Sequence, residues 1–182
     1  LLVHGAAGGV GLAAVEIGKA MGARVIATAS TDEKCQVARE HGADETINYS
    51  NGQFKEIVKS MTDGKGADVI YDPVGGDVFD QSLRCIAWEG RLLVVGFTSG
   101  RIPSAPANLA LLKSCDIVGV FWGAFVERTP HINLENFDKL YQWIDEGYIK
   151  PRISMKVSLE NTLDAMQAIA DRKIIGKAIV KI

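Results

Sequence analysis

The sequence predicts a doubly wound α/β fold, in which helices cover both faces of a parallel six-stranded sheet. Two observations lead to this prediction. Short runs rich in Val, Ile and Leu alternate with stretches whose apolar residues recur every three or four positions. Gly or Gly-Ala separates these segments, and the connections are long enough for helical crossovers between parallel strands.

The elements follow in order from these patterns. The predicted strands are Leu1–Val3, Val25–Ala29, Glu45–Tyr49, Asp68–Tyr71, Arg91–Val95 and Asp116–Trp122. The predicted helices lie between them, each with one apolar face, and a last helix spans Leu134–Glu146. A short tail then reads as strand Ile153–Val157, helix Leu159–Ala170 and strand Ala178–Ile182.

Composition and charge exclude several classes of protein. The chain has 182 residues, of which 47% are hydrophobic and 23% charged, as expected of a globular domain with a real core. Its formal net charge of −2 attracts neither nucleic acid nor an anionic membrane, and no apolar run is long enough to span a bilayer. The three cysteines and three histidines are scattered, so we predict a reducing compartment and no metal site.

The strongest functional signal is the glycine-rich segment from Val3 to Gly11. It follows a strand and opens a helix, as a dinucleotide-binding (Rossmann) loop does. Gly8 has no Cβ to block a pyrophosphate, Gly11 allows close packing of helix and strand, and the helix N-terminus directs N–H groups at the anion. A nucleoside-triphosphate loop would need Gly-Lys-Ser/Thr after its spacer, and the short-chain dehydrogenases need Tyr-x-x-x-Lys. The sequence contains neither.

The end of the second strand indicates which dinucleotide is bound. NAD sites place an Asp or Glu there to bind the ribose 2′-hydroxyl, whereas this strand ends in Ala29 and Ser30. Ser30 can donate a hydrogen bond to a 2′-phosphate and Lys34 can neutralise it, so we predict NADPH as the cofactor. Asp32 leaves an alternative open: we interpret it as a first-turn acid of the next helix, and ribose binding is the other possibility.

Motifs along essentially the whole chain resemble those of the zinc-independent medium-chain dehydrogenases/reductases, and among them the NADPH:quinone oxidoreductases (zeta-crystallin family). The matching segments are Leu2–Leu12, Ser30-x-x-x-Lys34, Gly42–Asp44, Ile47–Tyr49, Asp72–Gly76, Gly90–Phe97 and Gly176–Ile182. The resemblance implies the cofactor-binding part of an oxidoreductase that transfers hydride from NADPH to a quinone or an α,β-unsaturated carbonyl.

The resemblance also implies which residues bind the cofactor. The glycine loop would hold the pyrophosphate, residues after the second and third strands the 2′-phosphate, and residues near the ends of the fifth and sixth strands the nicotinamide. In that order they are Ala7, Gly8, Gly9, Val10 and Gly11; Ser30, Lys34 and Tyr49; and Val95, Gly96, Phe97, Val120, Phe121 and Trp122. The last six are also expected to be buried strand residues. No catalytic residue is assigned, because the cofactor carries the chemistry.

The resemblance further predicts the organisation of the protein. Residues 1–150 would form the dinucleotide-binding domain, and residues 151–182 would fold back onto an N-terminal catalytic domain. We interpret the chain as part of a longer polypeptide, because Leu1 already lies within an apolar strand. A homodimer through the Asp116–Phe121 strand edge is implied. We expect a cytoplasmic location, or a mitochondrial one if a targeting peptide lies upstream.

Two alternatives remain open from the sequence. The chain by itself is a module that binds NADPH or a partner without turnover, since substrate contacts would come mostly from the upstream domain. Otherwise it is a relative of the zinc-dependent alcohol dehydrogenases, whose metal ligands lie largely upstream. The Ala6–Gly9 loop favours the quinone reductases over these enzymes.

Overall fold

The computed structural model describes residues 1–182, with the side chains of residues 1–50 and 52–182. The strands are β1 (Leu2–Val3), β2 (Ile26–Ala29), β3 (Glu45–Asn48), β4 (Ala67–Asp72), β5 (Ile86–Val94), β6 (Asp116–Gly119), β7 (Ile153–Ser158) and β8 (Lys177–Lys181). The helices are α1 (Gly9–Ala20), α2 (Asp32–Glu40), α3 (Phe54–Met61), α4 (Gly76–Cys85), α5 (Ala107–Lys113), α6 (Trp122–Arg128), α7 (Pro130–Asp145) and α8 (Thr162–Ala170).

The main sheet confirms the predicted doubly wound architecture. Its six strands lie in the order β3-β2-β1-β4-β5-β6, and all of their pairings are parallel. The chain works outward from β1 to β3 and then returns to add β4 on the other side of β1. The order therefore reverses between β1 and β4, and in such sheets ligands bind in the crevice at the carboxyl ends of those strands.

The two faces of the sheet have separate cores. Leu2 belongs to a cluster with Phe54 of α3 and Leu83 of α4. The next residue, Val3, belongs to a second cluster with Val15 of α1 and Ala38 of α2. Successive strand residues point to opposite faces of a sheet, so Leu2 and Val3 together connect the sheet to the helices on both of its sides.

His4 directly follows β1 and lies completely within the protein. Its Nδ1 is 2.9 Å from the Thr28 hydroxyl of β2, and its Nε2 is 2.8 Å from the Ser82 hydroxyl of α4. The single Ser82 hydroxyl proton is donated to the carbonyl of Val78 at 2.7 Å, so Nε2–H must donate to Ser82 and Nδ1 accepts from Thr28. Burial lowers the pKa of His4 to about 3. A neutral imidazole thus joins β1, β2 and α4.

The second half of the chain differs from the prediction in two places. The fifth strand, predicted to begin at Arg91, begins at Ile86, where it pairs with Ala67 before an irregularity near Val69. The sixth strand was predicted to reach Trp122, but it ends at Gly119, and Trp122 begins α6. Because the partner strand β5 ends opposite Gly119 at Val94, no backbone remains for Phe121 and Trp122 to pair with.

The C-terminal tail has the predicted strand–helix–strand order. The strands β7 and β8 pair in parallel as a separate two-stranded sheet, connected through α8. The tail is attached to the main domain at its start, where the Lys150 N–H donates to the buried carboxylate of Glu16 in α1 at 3.1 Å. Glu16 also contacts Nδ1 of His41 at 2.7 Å, so one buried carboxylate connects α1, the end of α2 and the tail.

Candidate dinucleotide-binding site

The glycine-rich loop brings the start of α1 against the end of β1. Gly5 adopts a positive φ of 58°, a conformation that residues with a Cβ rarely take. A Cβ at Gly11 would clash with the carbonyl oxygen of Gly5 and would lie 2.8 Å from Cα of Ala6. The loop therefore requires glycine at position 11 for helix packing, as the sequence predicts.

The first turn of α1 presents backbone donors at the carboxyl edge of the sheet. The N-cap residue is Gly8, which has no side chain to cap the helix, and the N–H of Leu12 donates to the Gly8 carbonyl at 3.0 Å. The N–H groups of residues 9–11 precede that bond and have no intrahelical acceptor. Together with the positive end of the helix dipole, they suit a pyrophosphate.

Ser30 and Lys34 come together beside this loop. The loop is tied to β2 by the Ala6 N–H, which donates to the Thr28 carbonyl at 3.0 Å. Lys34 Nζ lies 3.5 Å from the Ser30 hydroxyl and donates to the carbonyl of Arg172 at 3.1 Å. Among the residues whose side chains are described, Lys34 forms no ion pair with a carboxylate. Its charge is therefore available to an anion.

Tyr49 lies at the carboxyl end of β3, one strand further out. It begins a single 3₁₀ turn, Tyr49–Asn51, whose N-cap is Asn48. The Tyr49 ring is half-buried against the cluster that contains Phe54. The strand order places Tyr49 on the same side of the sheet centre as Ser30, and no hydrogen bond joins the described side chains of these two residues.

On the other side of the crevice, Asp72 organises the loops after β4 and β5. Its Oδ1 accepts hydrogen bonds from the N–H groups of Val74 at 2.8 Å and Gly75 at 2.9 Å, and its carbonyl accepts from Val95 at 2.9 Å. Burial raises the pKa of the Asp72 carboxyl, and the two N–H donors partly offset that rise. Asp72 thus positions Val95 and Gly96 although the sequence assigned it no role.

The remaining predicted residues lie at the carboxyl ends of β5 and β6, but they are not buried strand residues. Phe97 packs against Gly75 of the β4–α4 loop, where its Cδ1 would be 3.0 Å from an added Cβ. Val120 extends the sheet by one hydrogen bond, from its N–H to the Val94 carbonyl at 2.9 Å. Phe121 and Trp122 are 79% and 60% exposed, so the prediction that they are buried is wrong for this chain.

The C-terminal tail contributes residues that sequence reasoning did not assign. The Gly176 N–H donates to the Ala7 carbonyl at 2.8 Å, and Lys177 Nζ donates to the Gly9 carbonyl at 2.6 Å. Arg172 spans the crevice: its carbonyl accepts from Lys34, and its guanidinium lies 3.5 Å from the Thr98 carbonyl. Gly9 and Lys177 are 168 residues apart in the chain, so no local sequence pattern indicated their contact. The one signal was that Gly176 and Lys177 lie in a segment that resembles the family.

The described residues offer neither a metal-binding cluster nor a membrane-spanning helix. No group of three or more His, Cys, Asp or Glu side chains is arranged to hold a metal ion. No helix combines the length and the apolar character needed to cross a membrane.

Comparison with known proteins agrees with this geometry. Residues 9–143 match the family model described as zinc-binding dehydrogenase. The chain belongs to this family. The match begins within the glycine-rich loop and ends in α7, so it includes the predicted residues from Gly9 to Trp122.

The relatives of this chain include quinone oxidoreductases, the enzymes whose motifs the sequence resembles, so the predicted resemblance is confirmed. The chain is 44% identical to a quinone oxidoreductase-like protein 2 homolog of Nematostella vectensis, over 99% of this chain and 50% of that protein. It is 31% identical to an Escherichia coli quinone oxidoreductase solved with NADPH, with a TM-score of 0.90 over 98% of this chain and 56% of that one. A solved NAD-dependent alcohol dehydrogenase is 30% identical, with a TM-score of 0.87 over 100% of this chain and 50% of that one. The chain spans about half the length of the curated relatives it matches.

Proposed function

We propose that this chain is the NADPH-binding part of a zinc-independent oxidoreductase that transfers hydride to a quinone or an α,β-unsaturated carbonyl. The observation that supports it most is the pairing of a glycine-rich helix N-terminus with Lys34 and Ser30 at the end of β2, where an NAD site would carry an acid. The E. coli quinone oxidoreductase of the same fold was solved with NADPH.

The residues present fit the cofactor. The close approach of Gly11 to Gly5 fixes the start of α1 at the carboxyl end of β1, where its first-turn N–H groups suit a pyrophosphate. The Lys34 ammonium, which no described carboxylate neutralises, and the Ser30 hydroxyl supply the charge and a donor that a 2′-phosphate needs. NADPH supplies a hydride when bound. The part of this chain is to bind and orient the cofactor between the loops that Asp72 positions.

Substitution of Lys34 tests this proposal. We expect the unaltered protein to bind NADPH more tightly than NADH, with quenching of Trp122 emission, because Trp122 lies at the carboxyl end of the sheet. Lys34→Ala should weaken NADPH binding by roughly 1.5–3 kcal/mol, as for a charge-assisted hydrogen bond, and leave NADH nearly unchanged. Fluorescence titration of each cofactor measures both effects.

The matched control is Lys65→Ala. It removes the same charge before β4, at the opposite end of the sheet, where Lys65 pairs with Asp68 at 2.6 Å. This variant should bind both cofactors as the unaltered protein does. Equal losses for NADPH and NADH in Lys34→Ala would rule out the 2′-phosphate assignment.

The tail and α8 support the division into residues 1–150 and 151–182 within a larger enzyme. On α8, Leu163, Met166 and Ile169 are more than half exposed. Apolar surface of this kind suits contact with a further domain, and the chain covers only 50% of the N. vectensis relative. In this proposal the further domain selects the substrate. A metal assay of the complete protein distinguishes a zinc-independent reductase from a zinc-dependent alcohol dehydrogenase.

A homodimer through the β6 edge is the second part of the proposal. The strand is the last in the sheet order and pairs only with β5, so its outer N–H and C=O groups are open to another strand. We expect light scattering to report a dimer, and Val118→Lys on this edge to shift it toward monomer. Met21→Lys, which likewise replaces an exposed apolar residue by lysine, lies at the C-cap of α1 and should leave the dimer intact. A monomeric unaltered protein would contradict the prediction.

A further inference from the structure

The acid that leaves cofactor choice ambiguous in the sequence is held by an amide from the neighbouring strand. Asp32 is the first residue of α2, two positions before Lys34. Its Oδ1 accepts a hydrogen bond of 2.7 Å from Nδ2 of Asn48, the last residue of β3. The contact joins the two elements that flank the predicted 2′-phosphate site, Ser30–Lys34 and Tyr49.

The orientation of the Asn48 amide is decided by its other partners. Its Oδ1 accepts from the backbone N–H of Ser50 at 3.0 Å and from the Ser50 hydroxyl at 2.7 Å. A backbone N–H only donates, so the atom facing it must be the amide oxygen. The amide nitrogen is therefore the atom that faces Asp32, and the bond to the carboxylate is a donor–acceptor pair.

The consequence appears at Lys34. Its ammonium contacts two neutral oxygens, the Ser30 hydroxyl and the Arg172 carbonyl. No described side chain neutralises Lys34, although Asp32 and Glu33 precede it directly. Residues two apart on a helix do not face each other, so Lys34 is not the natural partner of Asp32. An unrestrained Asp32 would instead place a carboxylate near the predicted 2′-phosphate position and accept a hydrogen bond from the ribose hydroxyls of NAD.

We infer that Asn48 is a specificity-determining positioning residue, which ties Asp32 to the end of β3 and so keeps its carboxylate from competing with the 2′-phosphate of NADPH beside Lys34 and Ser30. This inference rests on the proposed function. Asn48 also caps the turn that carries Tyr49, so a single side chain sets two parts of the same subsite.

A double-mutant cycle separates these two roles. Asn48→Ser keeps an oxygen that can accept the Ser50 N–H but removes the donor that reaches Asp32. We expect Asn48→Ser to weaken NADPH binding about three- to fivefold, as for the gain or loss of one screened charge contact, and NADH binding less than about twofold. Asp32→Ala removes the competing acid, so the variant carrying both substitutions should bind NADPH as Asp32→Ala alone does.

The matched control is Gln36→Ser, which removes the same kind of amide-to-carboxylate bond, 3.3 Å to Glu40, further along α2. It should leave the NADPH-to-NADH ratio unchanged, and thermal unfolding of every variant confirms that the fold persists. Equal loss of both cofactors in Asn48→Ser, or a loss that persists beside Asp32→Ala, would overturn the inference alone. An unaltered protein without preference for NADPH would overturn the proposed function, and this inference with it.

Discussion

Alanine at position 11 should destabilise the protein and weaken nucleotide binding together. The added Cβ would clash with the Gly5 carbonyl oxygen and approach Cα of Ala6 to 2.8 Å. These are backbone atoms that cannot rotate away, so α1 must move from the loop and its first-turn N–H groups move with it. We expect the free energy of unfolding to fall by roughly 2–3 kcal/mol, and NADPH affinity to fall by at least about tenfold.

Gly123→Ala is the matched control, because Gly123 is also a helical glycine. A Cβ there would meet only Cε2 of Phe121, at an ordinary 3.6 Å. Gly123→Ala should be neutral or stabilising by up to about 1 kcal/mol, since alanine is the better helix former. Chemical denaturation and cofactor titration measure both variants. A Gly11→Ala protein with unaltered stability and NADPH affinity would show that neither property requires the close approach of Gly11 to Gly5 and Ala6.

Removal of the His4 side chain should have the largest effect on stability. The ring packs 4.8 Å from that of Phe54, measured between centroids, and satisfies two buried hydroxyls. His4→Ala leaves a cavity and takes a partner from Thr28 and Ser82, so we expect a loss of about 3–5 kcal/mol in the free energy of unfolding.

The same residue predicts how stability depends on pH. Burial lowers the pKa of His4 from its ordinary 6.5 to about 3, so between these values the unfolded chain binds a proton that the folded protein excludes. The contribution of His4 is complete above about pH 6.5 and is lost as the pH falls toward 3, by about 1.4 kcal/mol per pH unit. Subtraction of the His4→Gln curve from that of the unaltered protein isolates this slope, because other acid-labile groups are common to both. A flat difference would contradict the buried neutral imidazole.

Much of the first half of the fold follows from the sequence. The strand and helix patterns before Tyr71 match the structure to within a residue or two, since each apolar run faces a core directly. The prediction is wrong where the pattern continues past the end of a partner. The run from Asp116 to Trp122 has strand composition throughout, yet β6 ends at Gly119 because β5 ends opposite it. The length of a strand depends on where its partner strand ends, and local composition contains no information about that partner.

The residues of the candidate site also divide into those that the sequence predicted and those that only the structure assigned. The glycine loop, Ser30 and Lys34 could be assigned from sequence, because a strand, a turn and a helix in succession constrain where they lie. Asp72 was visible only as part of a motif, and its role required the bonds to Val74, Gly75 and Val95. Lys177 reaches the glycine loop from the far end of the chain, and no local pattern could show that contact.

The sequence by itself determined the fold class, the position of the glycine loop and the missing acid at the end of β2, because periodicity and glycine placement act within a few residues. Only the tertiary structure decided what Asp32 and Lys34 contact. Parallel pairing aligns Ala29 with Asn48 and thereby brings the Asn48 amide to the Asp32 carboxylate, 16 residues away in the chain. Hydrogen bonds between strands depend on register, and register emerges only when the whole sheet has formed.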